Sequence, residues 1–220
     1  MTGAGGRNPM CAPEFLFDGP PGAALTVALA HGAGAPMDSE FMAAFAEGLA
    51  ERGLRVARFE FPYMADRRRT GGKRPPDRAP VLMECWRAVI ERLGPENLVI
   101  GGKSLGGRMA TMVAAELEYE GAPVLGLVSL GYPFHAAGRP RNPRIDHLKA
   151  LKTPALILQG SRDPFGGPDA VSGYGLAPAV RVHWLADGDH GFRPRKRSGR
   201  TERQNLDEAL AAIVDFVGGL

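Results

Sequence analysis

Six apolar, β-prone stretches recur along the chain, at residues 25–30, 55–59, 98–101, 124–130, 155–159 and 180–185. Several are apolar at every position rather than at alternate ones, the pattern of a strand covered by helices on both faces of a parallel sheet. Between them the spacing turns helical. Phe41, Met42, Phe45 and Leu49 share one face of a segment that Asp38 and Ser39 can cap, running through Arg52 to a stop at Gly53. Leu82, Trp86, Val89, Ile90 and Leu93 predict a second helix over 79–93, closed by Gly94-Pro95. Leu105, Met109, Met112, Val113 and Leu117 mark a third, and Leu206, Leu210, Ile213, Val214 and Val217 a fourth over 201–217. Trp86 and the methionines on these faces read as core packing. Strand and helix alternate throughout without internal repeats. That order predicts an α/β fold, a mostly parallel doubly wound sheet with helices on both faces, and chemistry gathered beyond the carboxyl ends of the strands.

Composition narrows this picture. The chain has 220 residues, 44% of them hydrophobic and 23% charged, which suits one globular domain, expected over residues 13–220. Residues 1–12 carry no apolar stretch for a signal peptide and read as a loose tail. The longest apolar runs, 23–30 and 124–130, fall short of the roughly 20 residues that span a bilayer, so no membrane partner is expected. Cys11 and Cys85 make neither a disulfide framework nor a metal-ligand spacing, which points to a reducing cytoplasm. The formal charge of +3 comes from Arg67, Arg68 and Arg69 and from a basic run over 193–203. No reading module for nucleic acid accompanies it, and the basic loops are either solvated surface or the edge of a site for an anionic ligand.

The candidate chemistry centres on GGKSLGGR, residues 101–108. A phosphate-binding P-loop would need a glycine at 97, where Asn97 stands, and a flexible loop where Leu98, Val99 and Ile100 read as buried strand. The G-x-S-x-G reading fits instead: a strand runs into Gly102, Ser104 occupies a sharp turn, and a helix begins at Leu105. A serine nucleophile needs a base. His190, in LADGDHGF after the last strand, is the candidate; His183 lies within a strand and His135 and His147 in a proline-rich connection. The base needs an orienting carboxylate, and Asp163 in QGSRDPFG supplies one at a strand end, whereas Asp187 and Asp189 read as turn formers. Two backbone N–H groups should hold the oxyanion, those of Leu105 and of Ala33 in HGAGAPMD, with His31 tying that loop down.

These stretches, with RFEFPYM (58–64), GYPFHAAGRP (131–140) and LILQGSRDPFG (156–166), resemble a minimal α/β-hydrolase. More narrowly, they are similar to the dienelactone-hydrolase-like predicted hydrolases and their testis-expressed eukaryotic relatives. The resemblance implies Ser104, Asp163 and His190 as a catalytic triad, without cofactor or metal. It departs from commoner esterases at Lys103, a cation beside the nucleophile that opposes protonation of His190, attracts an acidic substrate, or points to solvent or a carboxylate. Because only a short link separates residue 131 from about 146, no lid domain is expected. A small or medium soluble ester, thioester or other acyl compound is the expected substrate, anionic if Lys73, Arg74, Arg193, Arg195 and Lys196 edge the mouth. Tyr63, Lys103 and Lys196 are the candidate substrate contacts. The other reading is a non-catalytic scaffold that engages a partner through its basic loops. Lactonase, peptidase and perhydrolase chemistry would use the same residues, and oligomeric state is not legible.

Overall fold

The computed structural model describes residues 13–220; the expected tail and Cys11 lie outside the described residues. Seven strands form one sheet: β1 (Phe15–Asp18), β2 (Thr26–Ala30), β3 (Arg55–Phe59), β4 (Leu98–Lys103), β5 (Gly126–Leu130), β6 (Ala155–Gly160) and β7 (Val180–Leu185). Their spatial order is β1-β3-β2-β4-β5-β6-β7. Every neighbouring pair is parallel except β1–β3. The six strands read from the apolar stretches are all present. The pattern missed β1, whose Leu16 and Phe17 are exposed on an antiparallel edge. Four residues with two apolar side chains facing solvent leave no alternation to detect.

Helices cover both faces: α1 (Glu40–Ala50), α2 (Pro62–Thr70), α3 (Ala79–Leu93), α4 (Leu105–Glu120), a short α5 (Pro168–Val171) and α6 (Glu202–Gly218). On one face Phe45 and Leu49 of α1 and Leu210 and Ile213 of α6 pack against Val27, Val99, Val128 and Leu158 of the sheet. On the other, Trp86 and Val89 of α3 and Met109 and Val113 of α4 meet Ala28, Ile100, Leu127 and Ile157. Trp86 is fully buried, edge-on to Phe59 at 4.7 Å. The alternating facing of successive residues in each strand therefore feeds two apolar layers rather than one core and one wet face.

Two local expectations are corrected. Ser39 stands at the N-cap of α1 but its side chain makes no capping bond, and the Asp38 carboxylate accepts from Arg68 at 2.8 Å instead. An ion pair with a neighbouring element has outcompeted the cap. At α6 the local chemistry holds: Thr201 accepts from the Gln204 amide while the Gln204 side chain accepts from the Thr201 amide. Cys85 is buried on α3 and disulfide-bonded, so the expectation of no disulfide does not hold for it, and the inference to a reducing compartment loses that support. No helix of the described residues is long and apolar enough to cross a membrane.

After β5 the chain returns to β6 through a connection whose only helical turn is Asp146–Lys149, so no lid is inserted there. His147 in this turn bonds Thr111 Oγ1 at 2.9 Å and the Tyr132 hydroxyl at 3.3 Å through Nε2. Burial, and then the charge of Arg108, lower its pKa from 6.5 to about 4. The folded state thus keeps His147 neutral where the unfolded chain protonates it. Stability is complete above about pH 6.5 and falls as the pH drops through the window to about 4, by at most about 3 kcal/mol. A His147→Gln variant, measured by urea unfolding across that range, should show a shallower loss on acidification than the parent.

Candidate active site

The order of the sheet reverses at β2: α1 leads to β3 on one side, and the return connection through α2 and α3 leads to β4 on the other. Such a switch point leaves a crevice beyond the strand ends, bounded here by the loop after β2 and the turn after β4. The β4–α4 turn is held by close backbone contact. A Cβ on Gly102 would lie 2.0 Å from Ala30 O, and one on Gly106 would lie 2.4 Å from Ala30 O and 2.7 Å from His31 O. Neither position can carry a side chain. Between them Ser104 sits at φ 49° and ψ −108°, a region in which non-glycine residues are strained by roughly 1–3 kcal/mol. Although Ser104 occupies the N-cap position of α4, its hydroxyl makes no capping bond; it faces a cleft of about 760 Å³.

His190 and Asp163 are brought together, with Nδ1 of the ring 2.7 Å from Asp163 Oδ2. The Asp163 side chain is fully buried and accepts two further bonds, from Gln159 Nε2 at 3.0 Å and from the Phe165 amide at 2.9 Å. With Nδ1–H donating to the carboxylate, a neutral ring carries its lone pair on Nε2. The imidazole also packs on Phe165, centroids 4.5 Å apart. Ser104 and His190 line the same cleft, though no hydrogen bond joins the hydroxyl to the ring. They are close neighbours: a Cβ at Gly131 would lie 3.3 Å from His190 Cε1, and the Ser104 amide donates to the adjacent Leu130 O at 3.1 Å. In unliganded sites such a serine–histidine contact is commonly long, closing only around substrate.

The loop after β2 is fixed from beneath. His31 is fully buried; its Nε2 accepts from the Phe61 amide at 3.1 Å and its Nδ1 bonds Gly32 O at 2.6 Å, and burial lowers its pKa, keeping the ring neutral. The Tyr63 hydroxyl donates to Gly32 O and Ala33 O at 3.3 and 3.2 Å. Tyr63 is therefore a buried support of the loop rather than a cleft-lining contact, and burial raises its pKa. Engaging these carbonyls leaves Ala33 on the cleft wall with Ser104. Leu105 opens α4, where the first amides have no partner within the helix.

The basic loops behave differently from expectation. Of the five cations expected near the mouth, only Arg193 lines the cleft, and it pairs with Glu202 at 3.0 Å. Arg74 pairs with Asp66 and Asp77, and Arg195 with Asp187, while Lys73 and Lys196 are exposed and away from the lining. Arg68 spans Asp38 and Glu60. Lys103 does line the cleft and is half-buried, and its ammonium donates to the backbone carbonyl of His190 rather than to a carboxylate. The rings of Phe41 and Phe192 stand 4.9 and 5.3 Å from it. Removal from water lowers its pKa to about 8, against the opposing pull of Asp163 and Asp189.

A family model described as an alpha/beta hydrolase domain matches residues 23–218. The chain belongs to that family. Among solved structures, it is similar to an alpha-beta serine hydrolase homologue from Coxiella burnetii, with 21% identity over 96% of this chain and 93% of that one and a TM-score of 0.66. It is similar as well to a serine hydrolase without a lid from Xanthomonas campestris, with 23% identity, coverage of 96% and 90%, and a TM-score of 0.66. Est1E of Butyrivibrio proteoclasticus, solved with ferulic acid bound, matches at 14% identity, 94% and 96% coverage and a TM-score of 0.68. At these identities the structural likeness speaks for the fold.

In this alpha/beta hydrolase the sequence reading passed over Gln159. Fully buried at the end of β6, its Oε1 accepts from the Tyr132 amide at 2.7 Å, while its Nε2 reaches Asp163, Tyr132 O and Gly166 O. One polar residue closing an otherwise apolar strand, LILQG, was the available signal. The apolar wall of the cleft, Phe41, Phe45, Phe165, Phe192 and Leu206, was also missed as a site because helical spacing marks such residues only as core. Gly106→Ala tests the turn itself: adding a methyl group against two backbone carbonyls should cost about 1–3 kcal/mol or more in chemical unfolding.

Proposed function

We propose that the chain is a serine hydrolase acting on small or medium acyl esters or thioesters through Ser104, His190 and Asp163. The observation that carries this reading is the 2.7 Å bond from His190 to a wholly buried carboxylate, on the same cleft as a strained serine whose hydroxyl is not spent on capping. Ser104 Oγ attacks the acyl carbonyl and gives its proton to His190 Nε2, with Asp163 stabilising the imidazolium. The amides of Ala33 and Leu105 receive the oxyanion. Collapse expels the alcohol or thiol, which takes the proton from His190; water, activated by the same ring, then releases the acid and frees Ser104.

The cleft wall favours a neutral acyl or aryl group over the anionic one expected from the basic loops. Phe41, Phe45, Phe165 and Phe192 supply apolar surface, and Arg193, the basic-loop cation on the wall, is already paired. The same internal pairing of Arg68, Arg74 and Arg195 weakens the scaffold reading, in which these cations would be kept for a partner. Within the family, the dienelactone-hydrolase-like subtype remains the finer reading, supported by the motifs on which the resemblance rests.

A fluorophosphonate probe should label the parent protein and not Ser104→Ala; equal labelling of both refutes the assignment. On p-nitrophenyl esters, Asp163→Asn should lower kcat by up to about 10⁴-fold, since a neutral amide can present its NH2 to Nδ1, favour the wrong tautomer and leave the imidazolium unstabilised. Across a panel of neutral and carboxylate-bearing acyl groups of equal length, neutral ones should give the higher kcat/KM.

A further inference from the structure

Lys103 has no step in the proposed reaction, yet it touches each part of the machinery. Its backbone leads directly into Ser104. Its ammonium donates to the carbonyl of His190 and is flanked by Phe41 and Phe192. Its stem lies under the loop that carries Ala33, where a Cβ on Gly32 would be 3.3 Å from Lys103 Cγ. A Cβ at Gly131 would be 2.6 Å from Nζ and 3.0 Å from His190 O, so the amine and the histidine backbone are packed against one glycine. An ammonium is strongly hydrated, and an apolar side chain of similar length would fill this space without the cost of removing it from water.

We propose that Lys103 is a positioning residue, tied to the His190 carbonyl and held between Phe41 and Phe192, that keeps the histidine loop in register with Ser104. The inference rests on the hydrolase reading above. The Asp163 bond sets the rotation of the imidazole; the Lys103 bond sets the backbone from which the ring projects. Together they fix the direction of Nε2. The charged and titratable groups around Lys103 are Asp163, Asp189 and His190, and Glu40, Arg193 and Glu202 line the same cleft.

Two signatures follow. With its pKa lowered to about 8, Lys103 loses its charge in the range where a serine–histidine pair is otherwise fully competent, and the tie weakens there. The lowered value also means that the folded state resists the proton that the unfolded chain accepts. That penalty is full below about pH 8 and fades as the pH rises toward 10.5, so removing the amine relieves it at neutrality. Lys103→Met should therefore gain or hold stability while losing reactivity, an opposition that a merely structural lysine would not produce.

The test measures the rate of fluorophosphonate labelling, and the thermal midpoint, for the parent, Lys103→Met and Lys103→Arg from about pH 6 to 10. The parent rate should fall as the pH rises through about 8. Lys103→Met should label roughly tenfold or more slowly near pH 7, without that fall and with an equal or higher midpoint. Lys103→Arg should restore most of the rate and keep it at high pH. Labelling of Lys103→Met at the parent rate overturns the proposal, as does a loss of rate that tracks a loss of stability and is not rescued by arginine. Should Lys103→Met fail to fold, the parent profile decides, and no decline through pH 8 overturns the proposal. Absence of any Ser104-dependent labelling in the parent would sink the hydrolase reading and this inference with it; a reactive Ser104 indifferent to Lys103 sinks this inference alone.

Discussion

The structure turns on a contact in which side chains take no part. At the β4–α4 turn the backbone of Gly102 and Gly106 comes so close to Ala30 O that even a methyl group would collide. This lets α4 start immediately beside β2, and it forces Ser104 into a left-handed conformation at the topological switch point. The strain at one residue is offset by the two apolar layers that clamp the sheet. A fold without those layers could not hold the turn, and a turn with side chains could not fit the fold.

From that point outward the cleft is built by satisfying buried polar groups one at a time. His31 and Tyr63 occupy the carbonyls of the β2 loop from below. Gln159 spends its amide on Asp163 and on the Tyr132 and Gly166 backbone, joining the β5 and β6 loops under the histidine. Glu60 receives Arg68 and the Met37 amide, holding the approach to α1. Each of these groups would be costly if left unpaired, by about 1–3 kcal/mol, so the loops have few alternative arrangements. A rigid rim on a lidless crevice is the consequence, and it places the burden of orientation on the wall rather than on closure.

Legibility in the sequence followed the range of the interaction. The six buried strands and the G-x-S-x-G turn were readable because continuous apolarity and paired glycines report directly on covered faces and close backbones. The pairing of His190 with Asp163 was readable because strand-end loops in a parallel sheet converge on one edge. Helix α2 was not, since Pro62–Thr70 carries three arginines and no apolar stripe, and its position depends on Tyr63 finding Ala33 O and Arg68 finding Asp38, each thirty residues away. The partners of the basic clusters were hidden as well: the exposed arginines read as solvated surface, and the acids beside them, Asp66, Asp187 and Glu202, are set by the fold. The orientation of Lys103 was equally hidden, because the residues that enclose it come from α1 and from the loop before α6.

These pairings bear on how the cleft discriminates. A net charge of +3 would suggest attraction of anions at long range, but salt screens such fields beyond about 8–10 Å, and Arg193, the basic-loop cation on the cleft wall, is matched by Glu202. What lines the cleft at short range is largely aromatic surface, with one ammonium that donates to a backbone carbonyl. A carboxylate entering there would give up its hydration for apolar contacts and for a cation that already donates to the protein. An uncharged acyl chain meets no such penalty, and about 25 cal/mol for each Å² of apolar area buried favours its entry. On the proposed hydrolase reading the wall sets specificity by what it desolvates, while the Arg193–Glu202 pair belongs to the wall itself.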